Sequence, residues 1–96
     1  MEKRVTISAE NTWVEFSPRK DDPVIGPSYF DVSIYGVSDS TVTLQRRFAE
    51  DDDWRTVESY TENTEKTGRA PSGGMYRVGV ASGDYGTDTI EIIVRQ

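Results

Sequence analysis

Apolar and polar side chains alternate with a period of two along most of the chain, and no stretch carries the i, i+3, i+4, i+7 spacing of an amphipathic helix. The clearest case is Tyr29 to Tyr35, where Phe30, Val32 and Ile34 share one face and Tyr29, Asp31, Ser33 and Tyr35 the other. A short turn through Gly36 and Asp39 leads into Thr41 to Phe48, with Val42, Leu44 and Phe48 on the core side, so the two segments predict a hairpin. Met75 to Ala81 alternates again with Tyr76, Val78 and Val80 inward, and Ile90, Ile92 and Val94 form a last strand.

The remaining segments read less regularly. Val5 and Ile7 open a first strand, Asn11 interrupts it, and Trp13 to Phe16 resumes extended structure before Pro18 and Pro23, which cannot donate to a ladder. Glu50 to Asp53 forms a charged tip. In the following segment, Trp54 to Tyr60, Trp54 and Val57 fall on opposite parities unless a bulge intervenes, which leaves the register open. Glu65 to Thr67 suits an edge strand, and Ala70 to Gly74 and Ser82 to Gly86 are loops. Short strands with turn signals every 8–12 residues or so predict an all-β, single antiparallel sandwich of seven to eight strands, of immunoglobulin or fibronectin type.

Length limits this to one domain spanning residues 1–96, and a chain of this size buries roughly 60–65% of its unfolded surface. Only 34% of the residues are hydrophobic and 29% are charged, so the core is modest and contacts with partners would add to its stability. Eleven basic against seventeen acidic residues give a net charge of −6, which disfavours binding to nucleic acid. No apolar run approaches the roughly 20 residues of a spanning helix, and the first residues lack the apolar stretch of a signal peptide. The expectation is a chain made in a cytoplasm, remaining there or in something assembled there, without a membrane partner.

The absence of His and Cys removes the commonest neutral-pH base, the thiol nucleophile and the commonest transition-metal ligands. Carboxylates remain, but Asp31, Glu58, Asp84 and Glu91 show no spacing that marks a catalytic pair, and the reading is of a protein that is not an enzyme. Asp21-Asp22 and Glu50 to Asp53 lack the alternation and glycine of a calcium loop, so no metal or other cofactor is expected. Arg46, Arg47, Arg55 and Arg69 lie among acidic residues and suit ion pairing across a sheet. Tyr76 is read as a core aromatic, Trp54 as buried and Trp13 as largely exposed.

Several apolar residues sit at the parity opposite to the core: Trp13, Tyr29, Tyr35, Met75 and Ile93. With Tyr85 in the last loop, they are the candidate interface, because Trp and Tyr are enriched at binding hot spots.

Three segments carry a resemblance: Ser40 to Phe48, then Asp51 to Tyr60, then Gly74 to Val80 with Ser82 to Gly86. Together they resemble small virion proteins of tailed phages, in which a hairpin of the type TVTLQRSFDGGxTW is followed by YRxGVxxGxY. Asp51-Asp52-Asp53 stands where that pattern has its glycines. The resemblance implies an immunoglobulin-like sandwich and a structural role in the virion, as a capsid decoration or a head–tail or tail accessory subunit. It implies other virion proteins and copies of itself as partners, and no small-molecule substrate. The alternative is a carbohydrate- or host-surface-binding module in which Trp13, Trp54 or Tyr85 would stack on sugar rings.

Overall fold

A computed structural model describes every residue from Met1 to Gln96. It has no helix and eight strands: β1 Glu2–Ile7, β2 Thr12–Phe16, β3 Tyr29–Tyr35, β4 Val42–Arg47, β5 Arg55–Tyr60, β6 Thr64–Arg69, β7 Met75–Val80 and β8 Ile90–Arg95. They form two four-stranded antiparallel sheets, ordered β1-β8-β3-β6 and β2-β7-β4-β5. These will be called sheet A and sheet B.

The inward side chains are those that the alternation selects. Phe30, Val32 and Ile34 of β3 face Val78 and Val80 of β7 across a core completed by Ile7, Val42, Ile90, Ile92 and Val94. At one end the core is aromatic: Phe16, Phe30 and Tyr76 lie with ring centroids 5.1–5.5 Å apart, a spacing at which edge and face attractions add to the area buried. Tyr76 is thus a core residue, 3% exposed.

The sandwich and its antiparallel pairing agree with the sequence reading, but the strand order is not the immunoglobulin or fibronectin one expected there. Immunoglobulin sheets, ordered A-B-E-D and C-F-G, put the first two strands side by side. Here β1 and β2 lie in opposite sheets, and the pairs β1–β8, β2–β7, β3–β6 and β4–β5 nest inside one another. This is the order of an eight-stranded jelly roll, a long hairpin folded over on itself. Side-chain alternation specifies which face of a strand is buried and carries no information about which strand lies beside it, so the two orders read alike in sequence.

The difficult segment Trp54 to Tyr60 contains the bulge its parity demands. Leu44 pairs with Glu58 and the next residue, Gln45, with Thr56, leaving Val57 as the extra residue, 46% exposed. The slip moves everything before it to the other face. Consequently Trp54 is on the outside of sheet B and half-buried rather than in the core, and Phe48, expected inward, leaves the end of β4 with 54% exposure. Glu65 to Thr67 falls within β6, which is the edge of sheet A as expected.

Candidate functional site

The six residues singled out as an interface do not form one surface. Tyr29, Tyr35 and Ile93 belong to the outer face of sheet A, Trp13 and Met75 to the outer face of sheet B, and Tyr85 to the loop before β8. Tyr29 and Tyr35 are exposed at 55% and 44%. Ile93 is only 5% exposed despite its outward parity, which corrects its place in a contact surface. Its register neighbours are Arg4 and Ser33, and around it run the contacts of Glu2 with Arg4 and Arg95, of Arg4 with Glu91, and of Arg95 with Ser33. Tyr35 and Ser33 both donate to the Glu65 carboxylate, and these hydrogen bonds hold it below the usual carboxylate pKa. The outside of sheet A is therefore a polar lattice closed over one aliphatic residue.

The outside of sheet B carries a ladder of stacked aromatic and guanidinium groups. Arg77 lies 3.9 Å from the ring centroid of Trp13 and 4.6 Å from that of Trp54, and Arg47 lies 4.3 Å from Trp54. Arg77 donates to the Gln45 side chain at 2.8 Å. Burial lowers its pKa; Glu15 opposes that shift and Arg47 adds to it. Trp13, expected to be largely exposed, is half-buried for this reason: Arg77 covers its ring and its indole N–H donates to Asn11 at 3.3 Å. Met75 is also half-buried, and Tyr85 packs against the core while its hydroxyl donates to the Asp88 carbonyl.

Exposed apolar side chains concentrate instead at one end of the sandwich. The register places the β2–β3, β4–β5 and β6–β7 loops at the same end as both termini. Of the seven large hydrophobic residues that are exposed, Met1, Val24, Ile25, Tyr29 and Phe48 lie at this end. Val24 and Ile25, at 92% and 71%, form the tip of the β2–β3 loop.

That loop is built to hold them out. One oxygen of Asp22 accepts from the backbone N–H of Val24 at 2.7 Å and of Ile25 at 2.8 Å, and these bonds lower its pKa. Asp22 and Gly26 exchange backbone hydrogen bonds at 3.1 and 2.8 Å, with Gly26 at φ 108°, a conformation open to glycine. Arg19 donates to the carbonyls of Lys20, Gly26 and Pro27, fastening both limbs of the loop. Asp21 accepts from Ser28 N–H at 2.9 Å and from Arg69 at 2.6 Å, which ties the loop base to β6. Beside it, a recess of about 450 Å³ is lined by Arg19, Pro27, Ser28, Tyr29 and the two terminal residues. The acidic β4–β5 tip, Glu50 to Asp53, lies at the same end.

Sequence reasoning passed over Val24 and Ile25, although a signal was present. Two adjacent aliphatics between Asp-Asp-Pro and Gly-Pro cannot belong to an alternating strand, so they have no core face to occupy.

At the opposite end, the Asp88 carboxylate accepts from Ser38 Oγ at 2.6 Å and from the N–H groups of Ser38, Asp39 and Ser40. The Ser38 hydroxyl and these N–H groups hold its pKa far below the ordinary value. All its partners belong to the β3–β4 turn, and the arrangement orders that turn rather than offering an open acid. No cluster of three or more acidic residues is placed to hold a metal ion.

Comparison of the chain with protein-family models, with curated proteins and with solved structures finds no match.

Proposed function

We propose that this domain is a structural component of a tailed-phage virion, a capsid decoration or a head–tail or tail accessory subunit, which acts without catalysis by docking its loop end onto another virion protein. The observation that carries the reading is the Val24-Ile25 tip, the most exposed pair of aliphatic side chains in the chain, on a loop locked by Asp22 and Arg19. A preordered apolar tip loses little conformational freedom on binding, so more of its burial appears as affinity. The resemblance of Ser40 to Tyr60 and Gly74 to Gly86 to small phage proteins supports the particle, and the jelly-roll order is one used by viral capsid domains, and also by lectins.

The carbohydrate-binding alternative calls for aromatic faces open to a sugar. Guanidinium groups already lie against the rings of Trp13 and Trp54, and Tyr85 is packed on the core, so the docking reading is the better supported.

Purified particles from the source should contain the 10.8 kDa chain in stoichiometric amount. A Val24→Asp, Ile25→Asp variant should fold normally and be missing from the particles. Particles without the chain, or particles that take up the variant as well as the wild type, would overturn the proposal.

A further inference from the structure

The outer face of sheet B holds positive charge that the chain itself leaves unmatched. Arg47 and Arg77 point outward from β4 and β7 and share the Trp54 ring, at 4.3 and 4.6 Å from its centroid. Neither is in an ion pair, whereas Arg4, Lys66, Arg69 and Arg95 each have a carboxylate within 3.1 Å. Of the strand residues that face outward here only Glu15 is acidic, and it stays beyond ion-pair distance of Arg77, its register neighbour.

The free donors of the two guanidinium groups are open to contact. A guanidinium stacked on a ring keeps its N–H groups in its own plane, at the edge of the stack. Arg77 gives its Nε to Gln45, and Arg47 gives one Nη to the Glu50 carbonyl at 2.9 Å. Both Nη groups of Arg77 and the second of Arg47 have no partner. They lie at the surface, since Arg47 Nε is the one buried side-chain nitrogen or oxygen that lacks a hydrogen bond.

The matching charge stands next to this face. β4 ends at Arg47 and the chain runs on into the tip Glu50 to Asp53, four exposed residues whose carboxylates make no ion pair and no hydrogen bond. Within one molecule the tip meets these cations only through the Glu50 carbonyl. A surface that carries a group and its complement side by side is self-complementary, and a two-fold axis between two such surfaces satisfies both contacts at once.

We propose that the chain forms a two-fold symmetric dimer through the outer face of sheet B, in which the acidic β4–β5 tip of each copy lies on the Arg47–Arg77 pair of the other. A carboxylate meets the flat fork of a guanidinium in two parallel hydrogen bonds. Trp13, Trp54 and Met75, all half-buried on the same face, supply the apolar part of the contact, and Trp, Met and Arg are the types that interfaces favour. Four strands of five or six residues give a face of only about 400 Å² at the usual strand spacing and rise. A standard interface takes about 800 Å² from each partner, and the net charge of −6 on each copy opposes their approach. The dimer is therefore weak and reversible. The inference does not depend on the docking role proposed above, and its test uses the isolated chain.

Sedimentation of the full chain over a range of concentrations tests this. The 10.8 kDa monomer and a species of twice its mass should exchange with a dissociation constant on the order of 0.1 mM. An Asp51→Lys, Asp52→Lys variant, changed at exposed side chains without partners, should bind itself at least about tenfold more weakly. Arg47→Glu should do the same. An equimolar mixture of the two variants should regain the dimer, because each reversed charge then meets a reversed partner. A wild type that stays monomeric at about ten times that concentration would overturn the proposal. So would a tip variant that dimerises as the wild type does, or a mixture of the two folded variants that remains monomeric. If Arg47→Glu fails to fold, the wild type and the tip variant alone decide.

Discussion

The guanidinium of Arg77 lies against the indole of Trp13 at 3.9 Å and reaches a second indole, that of Trp54, at 4.6 Å, so that one side chain joins β2 to the start of β5 across the outer face of sheet B. In a chain without disulfides this is the main cross-link on that face. Arg77→Ala should destabilise the domain by about 1–2 kcal/mol in urea unfolding, given that cation–π contacts are worth about 0.5–2 kcal/mol each according to how dry they are. Arg77→Lys should recover less than half of the loss, because an ammonium cannot lie flat on both rings.

Asp88 contributes, with the likewise depressed Asp21, Asp22 and Glu65, to the acid side of the stability curve. Its folded pKa is depressed by the Ser38 hydroxyl and by backbone N–H groups, so its contribution is complete above the unfolded value of about 3.9 and is lost as pH falls through the folded one. Melting temperature should therefore decline as pH drops below about 4. Asp88→Asn should melt lower than wild type at neutral pH and show a shallower decline on acidification. Parallel curves for the two proteins would contradict this.

Gly79 sits where β7 meets β2 most closely: a Cβ there would lie 2.1 Å from the Thr12 carbonyl oxygen and 2.8 Å from Trp13 Cα, both backbone atoms. A Cβ at Gly68 would meet the Phe30 ring at 2.3 Å, side-chain rather than backbone atoms, so relief needs a shift of the ring within the aromatic cluster and not of a strand. Overpacking typically costs about 1–3 kcal/mol, and Gly79→Ala should lie at or beyond the upper end and Gly68→Ala nearer the lower. Equilibrium unfolding of the two variants should rank them in that order.

Ile93→Ala should behave as a core truncation, losing about 2–4 kcal/mol, although the residue points away from the core. Tyr35→Phe, which removes one hydroxyl donor to Glu65 at an exposed position, should lose under about 1 kcal/mol. If Ile93→Ala were as mild as Tyr35→Phe, the closed lattice over sheet A would be wrong.

What the sequence made legible follows from the reach of each signal. Alternation is local, and it located β3, β4, β7 and β8 and their buried sides, together with the need for a bulge near Val57. Which strands pair is not local: Ile7 meets Ile90, and nothing in either segment announces the other. Outward parity also overstates exposure. Ile93 lies under long polar neighbours and Trp13 under Arg77, and such covering depends on residues from other strands. Trp54 went to the wrong side of the sheet for want of the bulge position, since a one-residue slip reverses every side chain before it. Val24 and Ile25 were readable in principle as aliphatics without a strand, but their projection depends on the hydrogen bonds of Asp22 and Arg19.

The nested pairing also sets an order of assembly. β8, the last of the eight strands in chain order, is an interior strand of sheet A, hydrogen-bonded to β1 on one side and β3 on the other. Until β8 has been made β1 waits without a partner, while only β4–β5, the innermost hairpin, can close early at small entropic cost. Folding should therefore wait for β8 and be slow for the domain's size, and a nascent chain stalled before Ile90 should remain protease-sensitive even though most of the core residues have already been made.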